Sequence, residues 1–281
     1  MKPIVLSHYQ AHEVLAAKRN GMGSMEVSLD LGLSTITLSL SSGELQLLDD
    51  EILTWETIED IDKSTSSCYV IENGTVRPIQ FYSELTQRVY SLYPTRRAPT
   101  MLISGIPMHR IKDTDPHEDT LEKVRAVKPL VGQVLDTATG LGYTAIEAAR
   151  TAEHVTTIEL DPAALNVCRL NPWSRDLFEN PKITQVVGDS FEVVASMEAG
   201  RFTRVIHDPP AFSLAGDLYS GEFYRELYRV MRNRSQVFHY IGDPESKSGR
   251  SITAGVIRRL EEAGFRQVRR VPRAFGVVAV K

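Results

Sequence analysis

Cysteine is scarce in this chain of 281 residues: Cys68 and Cys168 are its two thiols. Two are too few for a disulfide framework or a cysteine-rich zinc site. No His/Cys cluster has metal-ligand spacing either, so no metal is expected. Long apolar runs are missing, and nothing approaches the roughly 18 consecutive apolar residues of a membrane-spanning helix. The opening MKPIVLSHYQAHE carries one lysine and a four-residue apolar run, too short for a secretory signal, so a cytoplasmic protein is expected. A large excess of one charge is absent as well. Lys and Arg number 32 against 36 Asp and Glu, a net charge of −4, which excludes a chain coated with basic residues while leaving room for a local basic patch. There is no internal repeat and no low-complexity tract.

What is present is a 42% hydrophobic chain whose length suits one large domain or two modest ones. The first hundred residues are short, β-prone and broken by turns. Asn73-Gly74 between two β-prone runs predicts a hairpin. Short helices are expected over 8–19, 50–60 and 82–92. The reading is a β-rich N-terminal domain, residues 1–105, with no evident chemistry, and a Pro-rich connection from Pro94 to Pro116. A helix follows, with acids early and Lys/Arg late as the helix dipole favours. Strand and helix patterns then alternate. Strands are predicted at 131–136, 154–160, 182–188, 204–208 and 235–242, with helices at 144–152, 162–170, 190–197, 220–231 and 252–264 between and after them. Two last strands flank Pro272–Ala274 as an antiparallel pair. Such alternation predicts an α/β domain over residues 106–281, a Rossmann-like, doubly wound parallel sheet whose ligand sits at the C-terminal strand ends.

The first strand ends in Asp136-Thr137-Ala138-Thr139-Gly140-Leu141-Gly142-Tyr143. Two glycines there let the backbone turn tightly and approach a ligand, although a Gly turn alone is weak evidence. The acids sharpen it. Asp136 would repel the pyrophosphate of a dinucleotide, which makes a nicotinamide dehydrogenase the weakest option. Glu159 ends the second strand, placed to accept two hydrogen bonds from a ribose diol. Asp189 follows the third strand and Asp208 ends the fourth. Four carboxylates around one crevice suit ribose hydroxyls, an adenine amine, an α-amino group and a sulfonium, and S-adenosylmethionine carries all of these.

With those motifs in hand, the stretch from about Gly132 to Lys281 resembles the class I SAM-dependent methyltransferases. More closely, SGIPMHR (104–110), LDTATGLGYTAIEAA (135–149) and HDPPAFSLAGDLYSGEFYREL (207–227) resemble a largely uncharacterised archaeal family of predicted methyltransferases. The resemblance implies a seven-stranded methyltransferase-type sheet. It also implies that Asp136, Gly140, Gly142 and Tyr143 hold the methionine part, Glu159 the ribose and Asp189 the adenine amine. Thr137, Leu160, Ser190, Asp208 and Pro209 complete the expected cofactor-binding set. Asp208-Pro209-Pro210 is similar to the Asp-Pro-Pro-aromatic motif of methyltransferases acting on nitrogen. Phe212 comes one residue late, closer to the DPPxF of some ribosomal RNA methyltransferases.

Two rigid prolines beyond a strand position the Asp208 carboxylate to accept a hydrogen bond from a substrate N–H. Asp208 and Tyr219 are therefore the expected catalytic residues, with Tyr219 preferred to Phe223 and Tyr224 because it precedes the helix. His207, inside the strand, is read as a packed, satisfied histidine. The Arg-rich tail (Arg258, Arg259, Arg266, Arg269, Arg270 and Arg273) is read as a solvated helix face and edge strand, with a phosphate-facing patch as the alternative. The expected activity is methyl transfer from SAM to a nitrogen of a small-molecule, protein or RNA acceptor. The β-rich N-terminal domain and GEFY (221–224) also resemble the spermidine synthase group, which uses decarboxylated SAM. The loop TGLGYT (139–144) lacks the extra acid of that group, which ranks aminopropyl transfer second. A non-catalytic SAM-fold binding protein is the third reading.

Overall fold

The computed structural model describes residues 3–40, 43–212, 214–243 and 245–281. Its contacts divide the chain into two compact units, Met1–His117 with Ala163–Arg175, and Glu118–Pro162 with Asp176–Lys281.

The first unit is built from short antiparallel strands. One three-stranded sheet pairs Ile4–Leu6 and Thr75–Pro78 on either side of Tyr69–Glu72, and a four-stranded sheet runs over Gln80–Ser83, Arg88–Tyr93, Thr100–Ile103 and Ile106–Pro107. The predicted hairpin is there: Asn73 and Gly74 have φ of 52° and 71°, the positive pair a tight two-residue turn requires. Helix His8–Arg19 is also as expected, opened by a capping box between Ser7 and Gln10. The expected helix over 82–92 is not. That stretch forms two paired strands, with Gln87 at φ 54° in the turn between them. Tyr90 and Leu92 are buried and their neighbours less so, a period of two rather than 3.6. The second predicted helix starts late, at Trp55, where Thr54 caps it, because Ile52–Leu53 pairs as a strand. The Pro-rich passage is structured rather than a mere connection, since it contributes the strands Thr100–Ile103 and Ile106–Pro107.

The second unit carries the alternating pattern. In chain order it contains most of α1 (Pro116–Ala126), then β1 (Gln133–Asp136), α2 (Tyr143–Ala149), β2 (His154–Glu159), β3 (Ile183–Val187), α3 (Ser190–Ser196) and β4 (Phe202–His207). After these come α4 (Gly221–Val230), β5 (Met231–Tyr240), α5 (Lys247–Glu262), β6 (Arg266–Val271) and β7 (Gly276–Val280). The strands form one sheet in the order β3-β2-β1-β4-β5-β7-β6, with β7 antiparallel to both neighbours. The expected doubly wound, seven-stranded sheet is thus present. Its central strands are buried on both faces, which is why they read as apolar runs without alternation. Leu135, Ile158, Val205 and Val237 pack with Phe223, Tyr224 and Leu227 of α4 and Val256 and Leu260 of α5. Because order reverses on either side of β1, the C-terminal ends of β1, β2 and β4 lie side by side and open a crevice. Among the described residues no helix is long and apolar enough to cross a membrane.

Candidate functional site

Register places the site. Asp136, last residue of β1, is opposite Thr157 on β2 and Ile206 on β4. Its side chain is fully buried, and its Oδ2 accepts from Thr157 Oγ1 at 2.9 Å and Thr144 Oγ1 at 3.0 Å. Thr157 has one hydroxyl hydrogen, given to Asp136, so the 2.7 Å contact with Thr139 is a bond donated by Thr139. Oδ1 of Asp136 is buried without a hydrogen-bond partner. Burial pushes this carboxyl up to about 7; the two threonine bonds oppose that shift and Asp208 adds to it.

The turn after β1 explains both glycines. Gly142 opens α2 at φ 76°, and a Cβ there would lie 2.7 Å from Leu177. Gly140, at φ 53°, has nothing within 4 Å of where a Cβ would point, so its upper side is open. The Gly140 N–H donates to Glu159 Oε2 at 3.0 Å and the Asp161 N–H to Oε1 at 3.1 Å. Glu159 therefore ties β2 to the glycine turn. Burial raises its carboxyl to about 7 against the backbone bonds it accepts. Leu160, 44% exposed, and Asp189 line a cavity of about 490 Å³ with Ser190, Phe191 and Leu218. Asp189 caps α3 through a 2.7 Å bond from the Phe191 N–H, and Ser190 donates to the Thr137 carbonyl at 2.6 Å.

On the other side of β1, Thr137 Oγ1 lies 2.6 Å from His207 Nδ1, and His207 Nε2 lies 2.8 Å from the Leu218 carbonyl. A carbonyl only accepts, so Nε2 carries the hydrogen and Nδ1 accepts from Thr137. Burial lowers this imidazole to about 4, which keeps it neutral. His207 is the packed, satisfied histidine expected. It also links the end of β1 to the wall of the cavity.

Asp208 is not a free carboxylate. Its Oδ2 accepts from Lys123 Nζ at 2.7 Å, and Lys123 also meets Asp119 Oδ2 at 2.9 Å with its charge 4.4 Å from the Tyr240 ring centre. Lys123 is 1% exposed. Burial opposes its charge, but Asp208 and Asp119 outweigh burial and raise its pKa. The sequence reading missed this lysine. Asp119 and Lys123 are one helical turn apart on α1, within a run of early acids and late bases that the helix dipole also favours.

The structure thus gathers Asp136, Gly140, Glu159 and Asp208 at three adjacent strand ends, with Leu160 and Asp189 beside them. Thr137, Gly142, Tyr143, Ser190 and Pro209 are buried. Tyr219 packs against the Asp-Pro-Pro turn and is buried. It is 2% exposed and its hydroxyl donates to the Pro210 carbonyl at 3.1 Å, so it braces the Asp-Pro-Pro turn. Phe212, on that same turn, is 48% exposed.

The donor set fits S-adenosylmethionine or its decarboxylated form. Glu159 retains lone pairs for ribose hydroxyls, Gly140 leaves room above the turn, and the orphaned Asp136 oxygen suits a cationic or N–H-bearing group. Residues 121–220 match the family described as Conserved hypothetical protein 95. The chain is 44% identical over 232 residues to Uncharacterized protein MJ1233 of Methanocaldococcus jannaschii, covering 82% of this chain and 78% of that protein. A Polyamine aminopropyltransferase of Aeropyrum pernix is 34% identical over 87 residues, 29% of this chain and 28% of its own length. Putrescine N-methyltransferase 4 of Nicotiana tabacum is 29% identical over 104 residues, 36% of this chain and 27% of its own length. Among solved structures, spermidine synthase from Thermotoga maritima superposes with a TM-score of 0.57 at 18% identity, covering 71% of this chain and 70% of that one, a likeness of fold.

Proposed function

The chain belongs to the family of the Methanocaldococcus jannaschii protein MJ1233, and from that premise we propose that it is a SAM-dependent methyltransferase acting on a nitrogen nucleophile. The observation that carries the reading is the set of carboxylates Asp136, Glu159 and Asp208 at the ends of β1, β2 and β4 around an open glycine turn. When bound, SAM supplies a methyl group on a positively charged sulfur. Gly140 lets the ligand approach the backbone, Glu159 accepts from the ribose hydroxyls and Asp136 answers positive charge. Asp208, whose carboxylate accepts from Lys123, would also accept from an acceptor N–H and so orient the nitrogen lone pair. As the carbon–sulfur bond breaks and the neutral thioether leaves, the positive charge would pass to the acceptor nitrogen, and Asp208 would stabilise the cationic amine until its surplus proton passes to solvent. Alignment supplies most of what such a displacement asks of a protein.

Aminopropyl transfer is the second reading. It is supported by the partial match to a polyamine aminopropyltransferase and by the spermidine synthase fold. Against it stands the loop 139–144, which has no acid to replace the lost carboxylate partner in decarboxylated SAM. Calorimetric titration with SAM and decarboxylated SAM side by side separates the two. Tighter SAM binding is the expected result. Preference for the decarboxylated form overturns methyl transfer in favour of aminopropyl transfer, and binding of neither overturns both.

A further inference from the structure

Charge is unevenly spread along the second unit. Residues 221–281 hold thirteen Lys and Arg against six Asp and Glu, a local +7 in a chain whose net charge is −4. Eleven of the thirteen are arginines, the side chain whose planar fork matches phosphate oxygens two at a time. Several are spent internally: Arg229 caps carbonyls of α3, and Arg232 reaches the Gly200 carbonyl. Others converge on one place. A cavity of about 520 Å³ is lined by Phe212, Arg225, Arg258 and Arg259 and backed by Tyr219. It adjoins the Asp208-Pro209-Pro210 turn, because Tyr219 holds the Pro210 carbonyl and packs edge-on against the Phe212 ring at 5.3 Å.

The parts of this cavity differ in rigidity. Arg259 is anchored, its Nε donating to the Tyr219 carbonyl at 2.8 Å. Arg225 and Arg258 are exposed, and Phe212 presents nearly half its surface. Glu222 and Glu262 share the wall, but the Arg258–Glu262 contact is 3.8 Å between well-exposed groups and is easily exchanged for a stronger anion. An aromatic face flanked by guanidiniums, one turn away from the Asp208 carboxylate, is chemistry for a flat ring that carries phosphate.

We propose that this cavity is the outer part of the acceptor site and that it takes a phosphate-bearing, nucleotide-like acceptor, its ring against Phe212 and its phosphate on Arg225 and Arg258. The inference rests on the reading of Asp208 as the acceptor's hydrogen-bond partner. It also parts this chain from the polyamine-directed proteins it partly matches, since a polyamine is cationic along its length and the three guanidiniums here outnumber the two glutamates.

The test is binding of three probes to the full chain: AMP, a short fluorescent single-stranded RNA, and putrescine, with SAM titrated separately in every variant. AMP or the RNA is expected to bind better than putrescine. Arg225→Glu with Arg258→Glu should weaken the phosphate probe about tenfold or more and flatten its salt dependence. Phe212→Ala should weaken it about threefold to tenfold. SAM affinity should stay within about twofold, as none of the three residues lies at the glycine turn. Preference for AMP points to a free nucleotide and preference for RNA to a phosphodiester chain; both support the shared phosphate chemistry. Phosphate-probe binding that is unchanged in the double variant, or weaker than putrescine binding, overturns the subsite. Intact SAM binding without phosphate binding removes the subsite alone, whereas phosphate binding without SAM binding removes the transferase reading alone. Should the charge reversals misfold by circular dichroism, Arg225→Gln and Arg258→Gln, each at an exposed position, carry the same measurement.

Discussion

The two units bury different kinds of polar group. In the first, the buried polar side chains among the described residues are hydroxyls and one amide: Ser7, Ser28, Ser83, Thr100, Ser174 and Asn171. In the second they include Asp119, Lys123, Asp136, Asp161, His207 and His239. Hydroxyls can be satisfied locally at little cost, as Ser7 is by its own helix. A buried charge needs partners brought from elsewhere in the fold and still destabilises the protein when those partners are incomplete. The first unit therefore keeps charged groups out of its interior among the described residues, and the second gives up stability at one end of its sheet, where the carboxylates converge.

The largest test of that contrast is Lys123→Met, which strands Asp119 and Asp208 without their shared cation. It should lower unfolding free energy by about 3–5 kcal/mol in urea titrations at neutral pH. A loss under about 1 kcal/mol would mean that the second unit tolerates unpaired charge as easily as the first tolerates hydroxyls.

Next comes Asp136→Asn. The native carboxyl sits near 7, above its ordinary value of 3.8, so the native state prefers the protonated form and the unfolded state releases the proton earlier. Stability is lost as pH rises from about 4 to 7 and then levels off. Removing the charge should thus stabilise the chain by about 2–4 kcal/mol at pH 8 and by almost nothing at pH 4, while weakening SAM. Thermal melts across that range check it; a variant no more stable than the parent at pH 8 contradicts the burial of an ionisable group there.

Glu159→Ala should weaken SAM by about 1–3 kcal/mol through the ribose hydrogen bonds. In the unaltered protein a cationic ligand favours both ionised carboxylates, so SAM affinity should increase as pH rises through about 7, with proton release seen as buffer-dependent heat. A flat profile would remove both groups from the ligand's field. The smallest effect belongs to the first unit: Ser7→Ala opens a capping box and should cost about 1 kcal/mol, equally at pH 6 and pH 8. A strong pH dependence there would erase the distinction between the units.

Much of the second unit was legible in the sequence because its information is local. A buried parallel strand is a short apolar run, each is followed by an amphipathic helix, and the acids stand at the strand ends where periodicity stops. The 82–92 segment was misread because Gln87 turns the chain within it and the flanking strands are too short to display much alternation. The sequence places Tyr219 ahead of a helix but does not tell which way its side chain turns; packing with Phe212 and the Pro210 carbonyl decides that. Lys123 was invisible for a different reason. Its partner Asp208 is 85 residues further on, and no spacing rule connects the end of β4 to the helix that precedes β1.

The scarcity of cysteine has a chemical consequence. Neither Cys68 nor Cys168 is in a disulfide and both are buried, and burial pushes the Cys68 thiol well above its ordinary range. Peroxide and alkylating reagents act on accessible thiolate, and the native chain offers almost none. The folded protein should therefore be indifferent to the redox poise of its surroundings, and thiol reactivity becomes a reporter of unfolding rather than a feature of the working molecule.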